Sequence, residues 1–129
     1  WGESTAGGSI GVNVIRRSTA GTGGTVVAMT AAKADTNDAN PTATASYLTA
    51  NYTSLGTANG GPLRTGLLTF GNSGATPQNV LTFEFSTRND KALFLRGASD
   101  YICIGGSSSE TPPTGAKVYL EIETEEDNL

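Results

Sequence analysis

From Leu81 to Ser86 the chain alternates without a break, with Leu81, Phe83 and Phe85 on one side and Thr82, Glu84 and Ser86 on the other. A period of two belongs to an extended chain with one covered face, because a helix would scatter these residues around its axis. Shorter versions recur at Ile10, Val12 and Val14, and at Val118, Leu120 and Ile122, where Lys117, Tyr119, Glu121 and Glu123 take the outward positions. Half-buried strands are therefore the expected building block. The rest of the composition agrees, since Thr and Gly are abundant while the straight-chain helix formers are scarce.

Turn chemistry divides the chain into segments of strand length. Gly21 to Gly24, Asp35 to Pro41, Asn59 to Pro62, Gly71 to Gln78, Arg88 to Asp90, Gly97 to Ser99 and Gly105 to Gly115 are rich in Gly, Asn, Asp, Ser or Pro. Between them, strands are expected at about 9–16, 25–30, 63–70, 80–87, 92–96, 100–104 and 116–124, with 80–87 and 92–96 forming a hairpin. Residues 31–62 carry few core residues, and Tyr47, Leu48, Tyr52 and Leu55 suit either one short helix or a pair of irregular strands. The fold class expected is all-β: an antiparallel two-sheet sandwich, jelly-roll-like, of about seven or eight strands with a flexible N-terminal arm. At 129 residues the chain fits one domain. Its expected division is an arm at 1–8, a single β-sandwich domain at 9–126 and a tail at 127–129.

Composition also removes classes of function. Hydrophobic residues at 36% and charged residues at 16% do not match the low-hydropathy, high-charge signature of disorder. A net charge of −4 with scattered Lys and Arg disfavours direct nucleic-acid binding and anionic membranes, both of which need a basic patch. The acidic run of Glu121, Glu123, Glu125, Glu126 and Asp127 reads as a solvated last strand and tail, the alternative being a contact arm for a basic partner. No run approaches the ~18 apolar residues of a membrane helix, and no charged-then-apolar leader pattern is seen. Because the chain begins at Trp1, a processed product or part of a longer polypeptide is expected.

Chemistry finds little purchase. Histidine is absent, so Ser or Thr nucleophiles lack their usual base, and Cys103, the single cysteine, is expected to be a buried inert thiol between Ile102 and Ile104. The same absences exclude an ordinary zinc site. Asp35, Asn37 and Asp38 offer oxygen ligands for calcium but lack the spacing of a calcium loop, and turn formation explains them. Glu84 with Asp90 or Asp100 resembles a glycosidase pair only in residue type. Gly21 to Gly24 lacks the lysine of a phosphate loop, and Asn51-Tyr-Thr53 is a single glycosylation-type match in a Thr-rich chain. No enzyme activity, cofactor or metal is expected. The partner-contact candidates are Trp1, Tyr47, Leu48, Tyr52, Leu55 and Tyr119, which suit a protein interface or, less well, stacking on sugar rings. Arg88, Asp90, Arg96 and Asp100 flank tight turns and are candidates for bracing them by ion pairs.

The run from Phe83 to Ile102, with Arg88-Asn-Asp-Lys-Ala92, Leu95-Arg-Gly97 and Asp100-Tyr101 as its anchors, followed by Gly115 to Glu126, resembles a segment of small structural proteins of tailed bacteriophages. The resemblance covers about residues 63–126. Such proteins often place a Trp before the final acidic pair, where this chain has Glu123-Thr124. What the resemblance implies is the end of a jelly-roll or β-sandwich domain in a head decoration, cement or fibre protein. It also implies a virion outer surface, or otherwise an extracellular setting, a homo-oligomer, and other virion or assembly proteins as partners. A carbohydrate-binding or adhesin module, with a glycan as partner, is the alternative expectation.

Overall fold

The computed structural model describes residues 2–33, 35–71, 80–87, 91–106 and 110–124. Among these the chain is all-β, with antiparallel pairing throughout and one short 3₁₀ turn at Gly97–Ser99. The strands are β1 (Gly2–Glu3), β2 (Gly8–Arg17), β3 (Thr25–Met29), β4 (Ala45–Ala50), β5 (Arg64–Phe70), β6 (Tyr101–Gly106) and β7 (Lys117–Val118). They divide between two compact units, one from Trp1–Ala20 with Thr57–Glu121 and the other from Gly21–Gly56 with Ile122–Leu129.

In the first unit β2 is the central strand of a sheet of order β5-β2-β6. Ile10 lies opposite Leu68, Gly8 opposite Phe70 and Val14 opposite Ile104, so these side chains share one face. On that face Ile10, Val12, Val14, Leu68 and Phe70 are buried, Phe70 and Val14 almost completely. Burying each contributes on the order of 1.5–3 kcal/mol. Leu81, Phe83 and Ala116 pack against the same face, and Gly66 lets Leu81 sit flat on it: a Cβ at Gly66 would meet Leu81 Cδ1 at 2.5 Å. β1 and β7 form a separate two-stranded pair, Gly2 opposite Val118 and Glu3 opposite Lys117. The N-terminal stretch read as an arm therefore carries a strand, and Thr5 N–H extends the link by donating to Thr114 O at 3.1 Å.

The second unit holds the ribbon β3-β4, with Val27 opposite Tyr47, Val26 opposite Leu48 and a register shift at Thr25/Val26. Of the two readings of 31–62, the helix is absent among the described residues. In its place stands β4, followed by a bridge between Thr22 and Ser54.

Three expected strands differ. Residues 80–87 keep their alternation in burial, with Leu81, Phe83 and Phe85 half-buried and Thr82, Glu84 and Ser86 exposed, but they join no ladder among the described residues. The side chains dock by their faces, and Ser86 at φ 73° takes the left-handed region that interrupts an extended run. Residues 92–96 form no ladder with them among the described residues; here Phe94 O accepts from Arg16 and Arg96 N–H donates to Asp100, two backbone groups turned to side chains instead. The turn at 88–90 lies outside the described residues. The last strand shrinks to Lys117–Val118, its partner β1 being only two residues long. Val118, Leu120 and Ile122, expected inward, are about half exposed. Among the described residues five strands have five residues or more, short of seven or eight full strands, and hydrogen bonding groups the strands into one three-stranded sheet, β5-β2-β6, and two pairs, β1-β7 and β3-β4.

Candidate functional site

Large apolar side chains that remain in water are the distinguishing surface feature. Single exposed apolar residues are ordinary, but runs of them are not. Val118, Tyr119 and Leu120 are consecutive and each 46–53% exposed, while Phe94 and Leu95 are 58% and 48% exposed. In the second unit the ribbon is apolar on both faces. Val27, Tyr47 and Met29 share one and Val26 with Leu48 the other, and Val26 and Tyr47 are half exposed. A two-stranded ribbon is marginal in water unless something packs on it.

The partner-contact candidates distribute unevenly on this surface. Tyr47, Leu48, Leu55 and Tyr119 are exposed. Tyr52 is half-buried, its ring covering Gly21, where a Cβ would lie 2.5 Å from Tyr52 Cδ2. Trp1 lies outside the described residues. Because Tyr47 and Tyr52 belong to the second unit and Tyr119 to the first, these residues make no single aromatic platform within either unit.

Of the turn-bracing candidates, Arg88 and Asp90 lie outside the described residues. Asp100 is engaged by a residue that local reading does not find: Arg16 Nη2 donates to Asp100 Oδ2 at 2.5 Å and Arg16 Nε to Oδ1 at 3.3 Å, while Nη2 also reaches Phe94 O at 3.0 Å. Arg96 contributes its backbone N–H, which donates to Asp100 Oδ2 at 2.9 Å across the 3₁₀ turn. The Arg16 hydrogen bonds, and then the Arg96 N–H, hold the Asp100 carboxyl below the usual carboxylate range. The Arg16 guanidinium is held correspondingly more firmly protonated by the same bond. No signal near Arg16 announces this pair, because its partner stands 84 positions away.

Two shallow clefts complete the picture. One, of about 250 Å³, is lined by Leu63, Arg64, Phe85, Lys91, Ala92 and Leu93, and the Arg64 guanidinium carbon lies 5.0 Å from the Phe85 ring centre. The other, of about 390 Å³, includes Met29, Lys33, Pro41 and Thr44. The nearby Asp35, Asn37 and Asp38 form a turn: Asn37 N–H donates to Asp35 Oδ1 at 2.9 Å, and Lys33 Nζ donates to Asp38 O at 2.7 Å. Cys103 is half-buried rather than fully buried, opposite Ile15. Comparison with protein-family models, curated proteins and solved structures finds no match to this chain.

Proposed function

We propose that this chain is a non-enzymatic structural protein of a many-copy assembly, a virion decoration, cement or fibre protein, that works by packing against its neighbours. The observation that carries the reading is the mismatch between a small core and a large exposed apolar surface. Ile10, Val12, Val14, Leu68 and Phe70 are buried, whereas Val26, Tyr47, Leu67, Val80, Phe94, Val118 and Tyr119 are about half exposed or more. Surfaces of this kind are what a subunit covers on assembly. Modest contacts repeated by symmetry then add up through avidity. The resemblance over 63–126 supplies the setting, a tailed-phage particle and its outer surface. It also supplies the finer architecture proposed, a jelly-roll-like sandwich in which Leu81, Phe83 and Phe85 begin the second layer.

The test is to purify particles and ask by mass spectrometry whether the chain is present in many copies, then whether its removal lowers their resistance to heat or low salt. Presence with loss of resistance supports the role; absence from particles overturns it. The glycan alternative draws on the exposed Tyr47 ring, but Tyr52 is spent on Gly21. Glycan-array binding that disappears in Tyr47→Ala would favour it.

A further inference from the structure

β6 is an outer strand of the sheet β5-β2-β6. On β2, Leu63 N–H donates to Val14 O at 2.8 Å and Asn59 N–H to Arg16 O at 2.8 Å, so Val14 and Arg16 turn toward β5. Gly11 N–H instead donates to Glu110, on the side of β6. In an antiparallel ladder, backbone direction alternates along a strand. Asn13, Ile15 and Arg17 therefore bond their opposite residues Gly105, Cys103 and Tyr101, which leaves Ile102, Ile104 and Gly106 turning N–H and C=O outward. Among the described residues nothing pairs with that edge.

Natural edges are guarded by charge, proline, bulges or shortness. Tyr-Ile-Cys-Ile-Gly-Gly has no charge and no proline, runs six residues, and pairs with β2 without a bulge. The acids flanking it are committed, Asp100 to Arg16 and Glu110 to the Gly11 amide. In a chain of net charge −4, this is a stretch where two copies can approach without like-charge repulsion.

We propose that β6 pairs antiparallel with β6 of a second copy about a two-fold axis at Ile104, joining two sheets into one of six strands. It deepens the assembly reading and rests on it. The register follows from the hydrogen-bond directions: outward residues must face outward residues, and only the axis at Ile104 engages all of Ile102, Ile104 and Gly106. Ile104 then faces its own copy across the axis, while Ile102 faces Gly106 and Cys103 faces Gly105, so the two bulky side chains off the axis each meet a glycine. Space exists for this, since a Cβ at Gly105 would meet nothing within 4 Å and one at Gly106 only contacts at 3.9 Å. Ile104 is 36% exposed on the core side of the sheet, and its contact with the copy extends that core across the axis. Phe94 and Leu95, held near Arg16 by its bond to Phe94 O, add apolar area at the Tyr101 end. A contact limited to one strand edge and its flanking side chains falls short of the ~800 Å² per partner of a standard interface, which fits a weak dimer multiplied in an assembly.

Sedimentation of the intact chain across about 1–200 µM tests this. The native chain should shift from monomer to dimer, Ile104→Lys and Ile104→Glu should each remain monomeric, and an equimolar mixture of the two should recover a dimer. A native chain that stays monomeric, a dimer that survives both substitutions, or a mixture that fails to re-pair overturns the proposal. Should the variants not fold, amide exchange of the native chain decides. Ile102, Ile104 and Gly106 should gain protection with concentration while Tyr101, Cys103 and Gly105 stay protected throughout, and no change at the first three refutes the edge pairing. Particle composition is read separately, so a β6 dimer absent from particles sinks only the assembly role, and a particle protein without the dimer sinks only this pairing.

Discussion

Phe70 and Val80 show how little of this chain's apolar content reaches its core. Phe70 is 2% exposed and Val80 71%. Phe70→Ala should cost about 3–5 kcal/mol in urea unfolding, a large share of a small domain's stability, whereas Val80→Ala should shift the midpoint negligibly. Asp100 yields a different kind of prediction. Its folded pKa lies below the ordinary carboxylate value, chiefly through Arg16. Its stabilising contribution is therefore fully present above that ordinary value and is lost as pH falls through the lower, folded one. Thermal melts from pH 7 down to about 2 should show an acid-side decline that Asp100→Asn reduces. Raised salt should shrink the native chain's advantage over the variant, because the pair is partly solvated. Of this pair the sequence discloses Asp100, which sits at a turn, but not Arg16, which is distant in the chain and ordinary in its neighbourhood.

At the scale of elements, alternation proved to report on burial more faithfully than on hydrogen bonding. Ile10, Val12 and Val14 alternate and lie in a ladder, while Leu81, Phe83 and Phe85 alternate just as cleanly outside any ladder among the described residues, Leu81 and Phe83 docking on the core and Phe85 lying beneath Arg64. Both arrangements need one covered side, and only the first needs neighbours on its edges, which a local pattern does not encode. Val118, Leu120 and Ile122 alternate too, yet they remain about half exposed. Gly66 is the element-level counterpart of the core, the gap into which Leu81 fits. Gly66→Val should cost about 1–3 kcal/mol by overpacking, and Gly105→Ala, with open space around it, should leave the unfolding of the sheet itself within ~0.5 kcal/mol. Among the described residues the ribbon β3-β4 has no third strand, and most of its residues are exposed on both faces. Its amides from Thr25 to Met29 and from Ala45 to Ala50 should exchange much faster than those of β2, a contrast that amide-exchange mass spectrometry reads directly.

For the whole molecule, association and stability become one measurement. If copies cover the exposed apolar surface, the melting temperature rises with protein concentration, since only the folded chain can associate. A melting temperature constant over a hundredfold range would argue for a self-sufficient monomer. The all-β class was readable from Thr, Gly and periodicity. The grouping of strands into β5-β2-β6, β1-β7 and β3-β4 was not, because pairing joins residues far apart in the chain.

The strand order β5-β2-β6 also sets a timetable. β2 is the most heavily buried strand, yet it precedes β5 by 46 residues and β6 by 83, counting the residues between Arg17 and Arg64 and between Arg17 and Tyr101. At ribosomal speeds of about 5–20 residues per second, β2 waits several seconds with both edges bare before β5 is made, and longer with one edge bare before β6 follows. During that interval Arg16 and Arg17 at its end are the gatekeepers against premature pairing with other nascent chains. The cation that later grips Asp100 thus has an earlier task, guarding a strand that must emerge before the sheet it organises.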